Sequence, residues 1–173
     1  MTGFPPISLN MACFREELWR EASISVQNQF GISSFLPEQQ HAMEYFFARN
    51  NIFVNLPTGY GKSLIFQSLP IVADVLFSQP RGSNIIVVIS PLKALMEDQI
   101  SYLSSVGVPA IAIADEEDPE IIQQVLNGCY VVVYGSPECI LSTKTWRGIF
   151  AYPKFQEMLL GVAIDEAHVV VQW

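Results

Sequence analysis

Positive charge is scarce in this chain. Nine lysines and arginines stand against 17 aspartates and glutamates in 173 residues, a formal net charge of −8. Most nucleic-acid affinity comes from neutralising phosphates, so this composition excludes a strong, self-sufficient nucleic-acid binder. Cysteine is rare as well. Cys13, Cys129 and Cys139 fit neither zinc-site spacing nor an even-numbered disulfide framework, and they read as thiols of a reducing compartment, nuclear or cytoplasmic. No run approaches the ~20 apolar residues of a membrane span, so no membrane partner is expected. Residues 1–10 lack a basic stretch followed by an apolar one, and no signal peptide is expected. There is no internal repeat and no low-complexity tract.

What the chain has is apolar content and alternation. Half its residues are hydrophobic, enough for one domain with a sizeable core. Residues 10–29 carry Phe14, Leu18, Ala22 and Val26 at helical spacing and read as a packing helix. Pro37 suits the first turn of a second helix, to about Arg49. Residues 51–55 read as a buried strand, and a helix from Lys62 follows, with a kink or break expected at Pro70. Strands are expected at 84–89, 109–114, 129–134 and 159–164. Helices are expected at 91–105, 119–126, 136–141 and from 144 toward 160. Strand and helix in alternation predict a mostly parallel α/β sheet with helices on both faces. The acidic run at 115–120 reads as a solvated loop and helix start, where carboxylates suit the dipole.

Two segments carry chemistry. Pro57-Thr58-Gly59-Tyr60-Gly61-Lys62-Ser63 lies between the expected strand and a helix start. A glycine-rich turn in that context lets successive backbone N–H groups and the helix N-terminus cradle phosphate. Lys62 would reach the β- and γ-phosphates, and the Ser63 hydroxyl would ligate Mg²⁺. Leu56 replaces the first glycine of the strict pattern. About a hundred residues later the apolar run 159–164, which reads as a buried parallel strand, ends in Asp165-Glu166-Ala167-His168. Carboxylates at the C-terminal end of a parallel strand sit where α/β sheets bind ligands. Asp165 would hold Mg²⁺, Glu166 would orient and deprotonate an attacking water, and His168 would sense the γ-phosphate or a facing domain. The plain alternative is an acidic turn after a core strand.

With these motifs in place, the chain resembles the first RecA-like lobe of a RecQ-family DNA helicase, a superfamily 2 P-loop NTPase with a DEAH box. The resemblance runs from about Phe30 to Trp173. Phe30-Gly31 with Phe35-Leu36-Pro37-Glu38-Gln39 resembles the family's adenine-recognition motif, in which Gln39 would read the adenine edge; the plain alternative for Gln39 is a solvated residue on the first turn of a helix. Ile32 and Leu36 depart from it, standing where the family usually has an aromatic residue and an arginine. Ser90-Pro91-Leu92-Lys93-Ala94-Leu95-Met96-Glu97-Asp98-Gln99 and Ser136-Pro137-Glu138 resemble two further motifs. They imply DNA-backbone contacts at Ser90, Pro91 and Ser136; capping of the following helices is the plainer reading. Gln172-Trp173 resembles the start of an aromatic-rich loop coupling DNA contact to ATP hydrolysis, with His168 in the same unit.

The resemblance implies an N-terminal extension at 1–29 and an ATP-binding domain at 30–173 that stops in mid-motif. It implies ATP and Mg²⁺ as ligands, DNA held weakly by this part alone, 3′-to-5′ unwinding, and a second RecA-like lobe outside the chain. An RNA helicase lobe and a non-catalytic nucleotide-binding regulatory module are the alternative readings.

Overall fold

The computed structural model describes residues 12–114 and 118–167, with side chains from residue 16 onward. Helix α1 (Ala12–Phe30) leads into α2 (Pro37–Phe47) and α3 (Lys62–Leu76). Strand β1 (Ile85–Ile89), α4 (Lys93–Ser105), β2 (Ala110–Ile113), α5 (Pro119–Leu126) and β3 (Val132–Gly135) follow. Three short helices, α6 (Pro137–Ser142), α7 (Lys144–Phe150) and α8 (Pro153–Met158), lead to β4 (Leu159–Ile164).

The four strands lie in the order β2-β3-β1-β4, and each neighbouring pair is parallel. β1 carries the run Ile-Ile-Val-Val-Ile and is buried throughout. Buried on both faces, such a strand has no need of polar alternation. One face packs against α1 to α4 through Val26, Met43, Leu69, Leu103 and the strand residues Ile86, Val88, Val132 and Tyr134. The other packs against α5 to α8 through Val125, Ile140, Trp146 and Phe155. Helices therefore cover both faces, as the alternation predicts. Trp146 is fully buried, and its indole N–H donates to the Ala114 carbonyl at 2.6 Å. A buried indole needs such a partner.

Local chemistry sets several boundaries. Asp118 opens α5 by accepting from the Glu120 N–H at 2.8 Å, with Pro119 at the first helical position. Pro153 likewise starts α8, which divides the expected helix from 144 toward 160 in two. Gly135 ends β3 where no side chain fits: a Cβ there would lie 2.8 Å from Ile140.

Three expectations fail. Residues 51–55 form no strand. A strand exists only beside a hydrogen-bonded neighbour, and no described strand pairs with this segment. Val54 and Leu56 still pack on the core, while Phe53 is 82% exposed. Second, α3 runs through Pro70 without interruption. Residues 67–74 of that helix are all buried, and packing over this length outweighs the one hydrogen bond a proline forfeits. Third, β4 is parallel as expected but not buried throughout, because Val162 and Ile164 are exposed.

Candidate functional site: a phosphate loop facing a buried carboxylate

The glycines of the loop after residue 56 adopt conformations other residues resist. Gly59 and Gly61 have φ of 86° and 67°, the left-handed region glycine enters without penalty. Gly61 is constrained twice, since a Cβ there would also lie 2.7 Å from Gln39 Nε2. Gly61 caps α3, so Lys62 and Ser63 occupy its first turn. Amides of a first turn have no intrahelical carbonyl to bond. Thr58, Gly59 and Tyr60 are exposed at the loop tip.

Gln39 lies beneath this loop. It is 4% exposed, which sets aside the reading of a solvated residue on a first helical turn. Its Nε2 donates to the carbonyls of Tyr60 (3.0 Å) and Gly61 (3.2 Å), and its Oε1 accepts from Leu36 N–H at 2.9 Å. The carboxamide thus ties the start of α2 to the phosphate loop. Lys62 folds back over its own loop, donating from Nζ to Leu56 O (2.9 Å) and Pro57 O (3.3 Å). An ammonium resting on neutral carbonyls exchanges them readily for anionic oxygens, which make stronger hydrogen bonds.

The second half of the site forms at the C-terminal ends of the strands. Ile89 pairs with Gly135 on one side and Ile164 on the other. Ser90 N–H donates to Gly135 O (3.0 Å), and Asp165 N–H donates to Ile89 O (2.9 Å). Ser90, Ser136 and Asp165 are thereby aligned along one sheet edge. Asp165 is 9% exposed. Burial pushes its pKa above the ordinary carboxylate value, with the nearby Glu166 charge adding to the rise. The Glu166 N–H, donating to Oδ1 at 3.0 Å, and the Lys62 charge pull it down. The Lys62 charge is thus felt at Asp165, while its ammonium itself rests on the Leu56 and Pro57 carbonyls. Glu166 has φ of 51°, a conformation that costs a side-chain-bearing residue about 1–2 kcal/mol. Strain of this kind gathers at functional positions.

The chain belongs to the DEAD/DEAH box helicase family. The family match spans residues 36–173. Among similar proteins, the ATP-dependent DNA helicase RecQ of Synechocystis is 34% identical over 148 residues, 83% of this chain and 28% of its own length. The mouse ATP-dependent DNA helicase Q1 is 32% identical, covering 86% of this chain and 22% of its own. The budding-yeast helicase SGS1 is 33% identical, covering 83% and 10%. This lobe therefore spans between a tenth and about a quarter of each of these relatives. The crystal structure of the DUF1998 helicase MrfA bound to DNA and AMPPNP superposes with a TM-score of 0.69 at 22% identity, over 88% of this chain and 22% of that one. That likeness shows the fold, a RecA-like helicase lobe.

The other expected site residues of the lobe fall into distinct settings. Ser90 is 1% exposed, and its hydroxyl has no hydrogen-bond partner among the described residues. Pro91 is half-buried. Ser136 caps α6, accepting from the Cys139 N–H at 3.1 Å. His168, Gln172 and Trp173 lie outside the described residues. Ser63 is contacted by Gln99, whose Nε2 donates to its Oγ at 3.4 Å. Gln99, Gln67 and Tyr134 were not foreseen as part of the site. One signal was available: Gln67 interrupts the apolar run Leu64-Ile65-Phe66 before Leu69.

No group of three or more His, Cys, Asp or Glu that could cage a metal exists among the described residues. Mg²⁺ usually takes one or two protein ligands and fills its shell with phosphate oxygens and water. The donor set fits the ion. A hydroxyl and a carboxylate are hard oxygen ligands, and Asp165 receives one side-chain hydrogen bond among the described residues, on Oδ1.

Proposed function

We propose that this chain is the ATP-binding lobe of a RecQ-like 3′-to-5′ DNA helicase, in which ATP hydrolysis drives strand separation by the whole protein. The observation that carries this reading is the family match over residues 36–173 on a fold that sets Lys62 and Ser63 in the first turn of α3 and Asp165 at the C-terminal end of β4. The first supplies a phosphate cradle, and Asp165 with Glu166 supplies a metal-holding, water-orienting pair.

In this reading the loop amides and Lys62 bind the triphosphate, Lys62 leaving the carbonyls of Leu56 and Pro57. Thr58, Gly59, Tyr60 and Gly61 supply backbone to the cradle. Ser63 and Asp165 hold Mg²⁺, which would supply charge neutralisation on the phosphate oxygens. Glu166 orients the attacking water and takes its proton. Gln39 fixes the loop and, with its amide released, reads the adenine edge. Ser90, Pro91 and Ser136 serve a DNA track, and His168, Gln172 and Trp173 couple it to the nucleotide. The net charge of −8 makes DNA binding by this lobe alone weak. Full turnover requires a second RecA-like lobe supplying an arginine finger, worth roughly 10³–10⁵ in rate. An intracellular location, nuclear or cytoplasmic, accords with a DNA substrate.

The test is ATP·Mg²⁺ binding and hydrolysis with and without single-stranded DNA, beside Lys62→Ala and Glu166→Gln. Binding that Lys62→Ala weakens roughly 10- to 100-fold, with very slow turnover, is expected. Robust unwinding by the purified chain would contradict the proposal.

A further inference from the structure

A buried polar chain runs behind the phosphate loop. Gln67 is 2% exposed, on the face of α3 that packs against the sheet. Its Nε2 donates to Tyr134 Oη on β3 at 3.0 Å and to Gln99 Oε1 on α4 at 2.5 Å. Gln99 in turn donates from Nε2 to Ser63 Oγ. Tyr134 is fully buried, and burial pushes its pKa up to about 12, so it stays a neutral phenol. The Asp165 charge also reaches Tyr134. Three side chains from three elements thus link Ser63 on α3 to β3 in the middle of the sheet.

Such a chain is costly to place in a core. Each buried amide must find its partners, and apolar side chains of the same shape would pack there without that requirement. Ser68, five residues further along α3, shows the ordinary behaviour of a helical serine. Its hydroxyl bonds back to the Leu64 carbonyl at 2.6 Å, which spends its proton on the backbone. Ser63 is treated differently. A hydroxyl offers one donor and two lone pairs, and the Gln99 N–H takes one lone pair. Among the described residues nothing else bonds the hydroxyl, which leaves the other lone pair and the proton for ligands. Gln99 cannot turn its amide round without losing the Gln67 N–H on Oε1, and Gln67 is held at the same time by Tyr134.

We propose that Gln99 is a positioning residue for the Ser63 hydroxyl, locked by Gln67 and Tyr134, which presents a free lone pair of Ser63 to the metal ion that accompanies the nucleotide. The inference rests on the nucleotide reading of the site given above and deepens it. It also ties α4, which begins three residues after Ser90, to the metal side of the nucleotide.

The test measures affinity for a fluorescent ATP analogue with Mg²⁺ and with EDTA, in the wild-type chain, Gln99→Met, Ser63→Ala and the double variant. Gln99 is only half-buried, and methionine matches its length without a donor. The expected result is that the gain in affinity from Mg²⁺ falls about tenfold in Gln99→Met, the size of one lost hydrogen bond, with the whole effect in the Mg²⁺ arm. A residue that merely stabilised the fold would shift both arms together. In the Ser63→Ala background Gln99→Met should add nothing, because the two act through one hydroxyl. An unchanged Mg²⁺ gain in Gln99→Met, beside a wild type that shows one, would overturn the inference and leave the site reading standing. A wild type with no Mg²⁺-dependent nucleotide binding would overturn both. Gln99→Leu, read in the same way, decides the matter should the methionine variant fail to fold.

Discussion

Helix α3 has a buried carboxylate near each of its ends, and the two are built differently. At its N-terminal end lies Asp165, at its C-terminal end Asp74. Both are nearly inaccessible, and burial raises the pKa of both. Asp74 is fully met: Oδ2 accepts from Gly82 N–H at 2.6 Å and Oδ1 from Asn84 Nδ2 at 2.7 Å. Asn84 is itself held by Gln79 at 2.7 Å. Asp165 receives its own neighbour's N–H on one oxygen, with a lysine charge nearby and a strained residue next in the chain. Burial and a raised pKa are common to both carboxylates, and the supply of donors differs. The closed end pins the turn after α3 to the start of β1; in the proposed reading the open end keeps valence for a ligand.

The comparison can be broken at either end. The largest effect is expected at Glu166. Glu166→Gln should lower ATP turnover by ~10²-fold or more, the usual worth of a positioned base, with nucleotide binding retained in a filter or fluorescence assay. Lys62→Ala comes next and should weaken nucleotide binding roughly 10- to 100-fold, as expected for a lost charge-assisted hydrogen bond to phosphate. At the closed end, Asn84→Ala leaves an Asp74 oxygen buried without a donor. Urea denaturation should show a loss of about 1–3 kcal/mol, with nucleotide affinity unchanged.

The smallest effect lies in pH dependence. Burial raises the Asp74 pKa above its ordinary 3.8, so the folded state binds this proton more tightly than the unfolded chain does. Protonation favours folding, and Asp74 lowers stability as pH rises from about 3.8 through the raised folded value. In Asp74→Asn that slope should vanish, read as the difference between the two stability–pH curves. A wild-type curve that rises over the same window relative to Asp74→Asn would show that the donors of Gly82 and Asn84 outweigh burial.

How much of this was legible beforehand follows from where the information lies. The α5 start was readable because Asp118 and Pro119 act within one turn, and β4 because its apolar run is bounded on both sides. The glycine turn and the start of α3 were readable because Gly59, Gly61, Lys62 and Ser63 fall within five residues. Residues 51–55 misled because a strand depends on a neighbour that local sequence cannot supply. Pro70 misled because packing along α3 overrides a local breaker. The amide chain of Gln67, Gln99 and Tyr134 was hidden because its members lie 32 and 35 residues apart and meet only when α3, α4 and β3 pack together. Asp74 was hidden for the same reason: its donors lie beyond the end of its own helix.

The contrast between the two carboxylates is tested most directly by titrating ATP·Mg²⁺ calorimetrically into the wild type, Asp165→Asn and Asp74→Asn. Asp165→Asn should lose the Mg²⁺-dependent part of the binding, while Asp74→Asn should bind as the wild type does. Equal losses in both, or a loss confined to Asp74→Asn, would contradict the assignment of the open end as the nucleotide site.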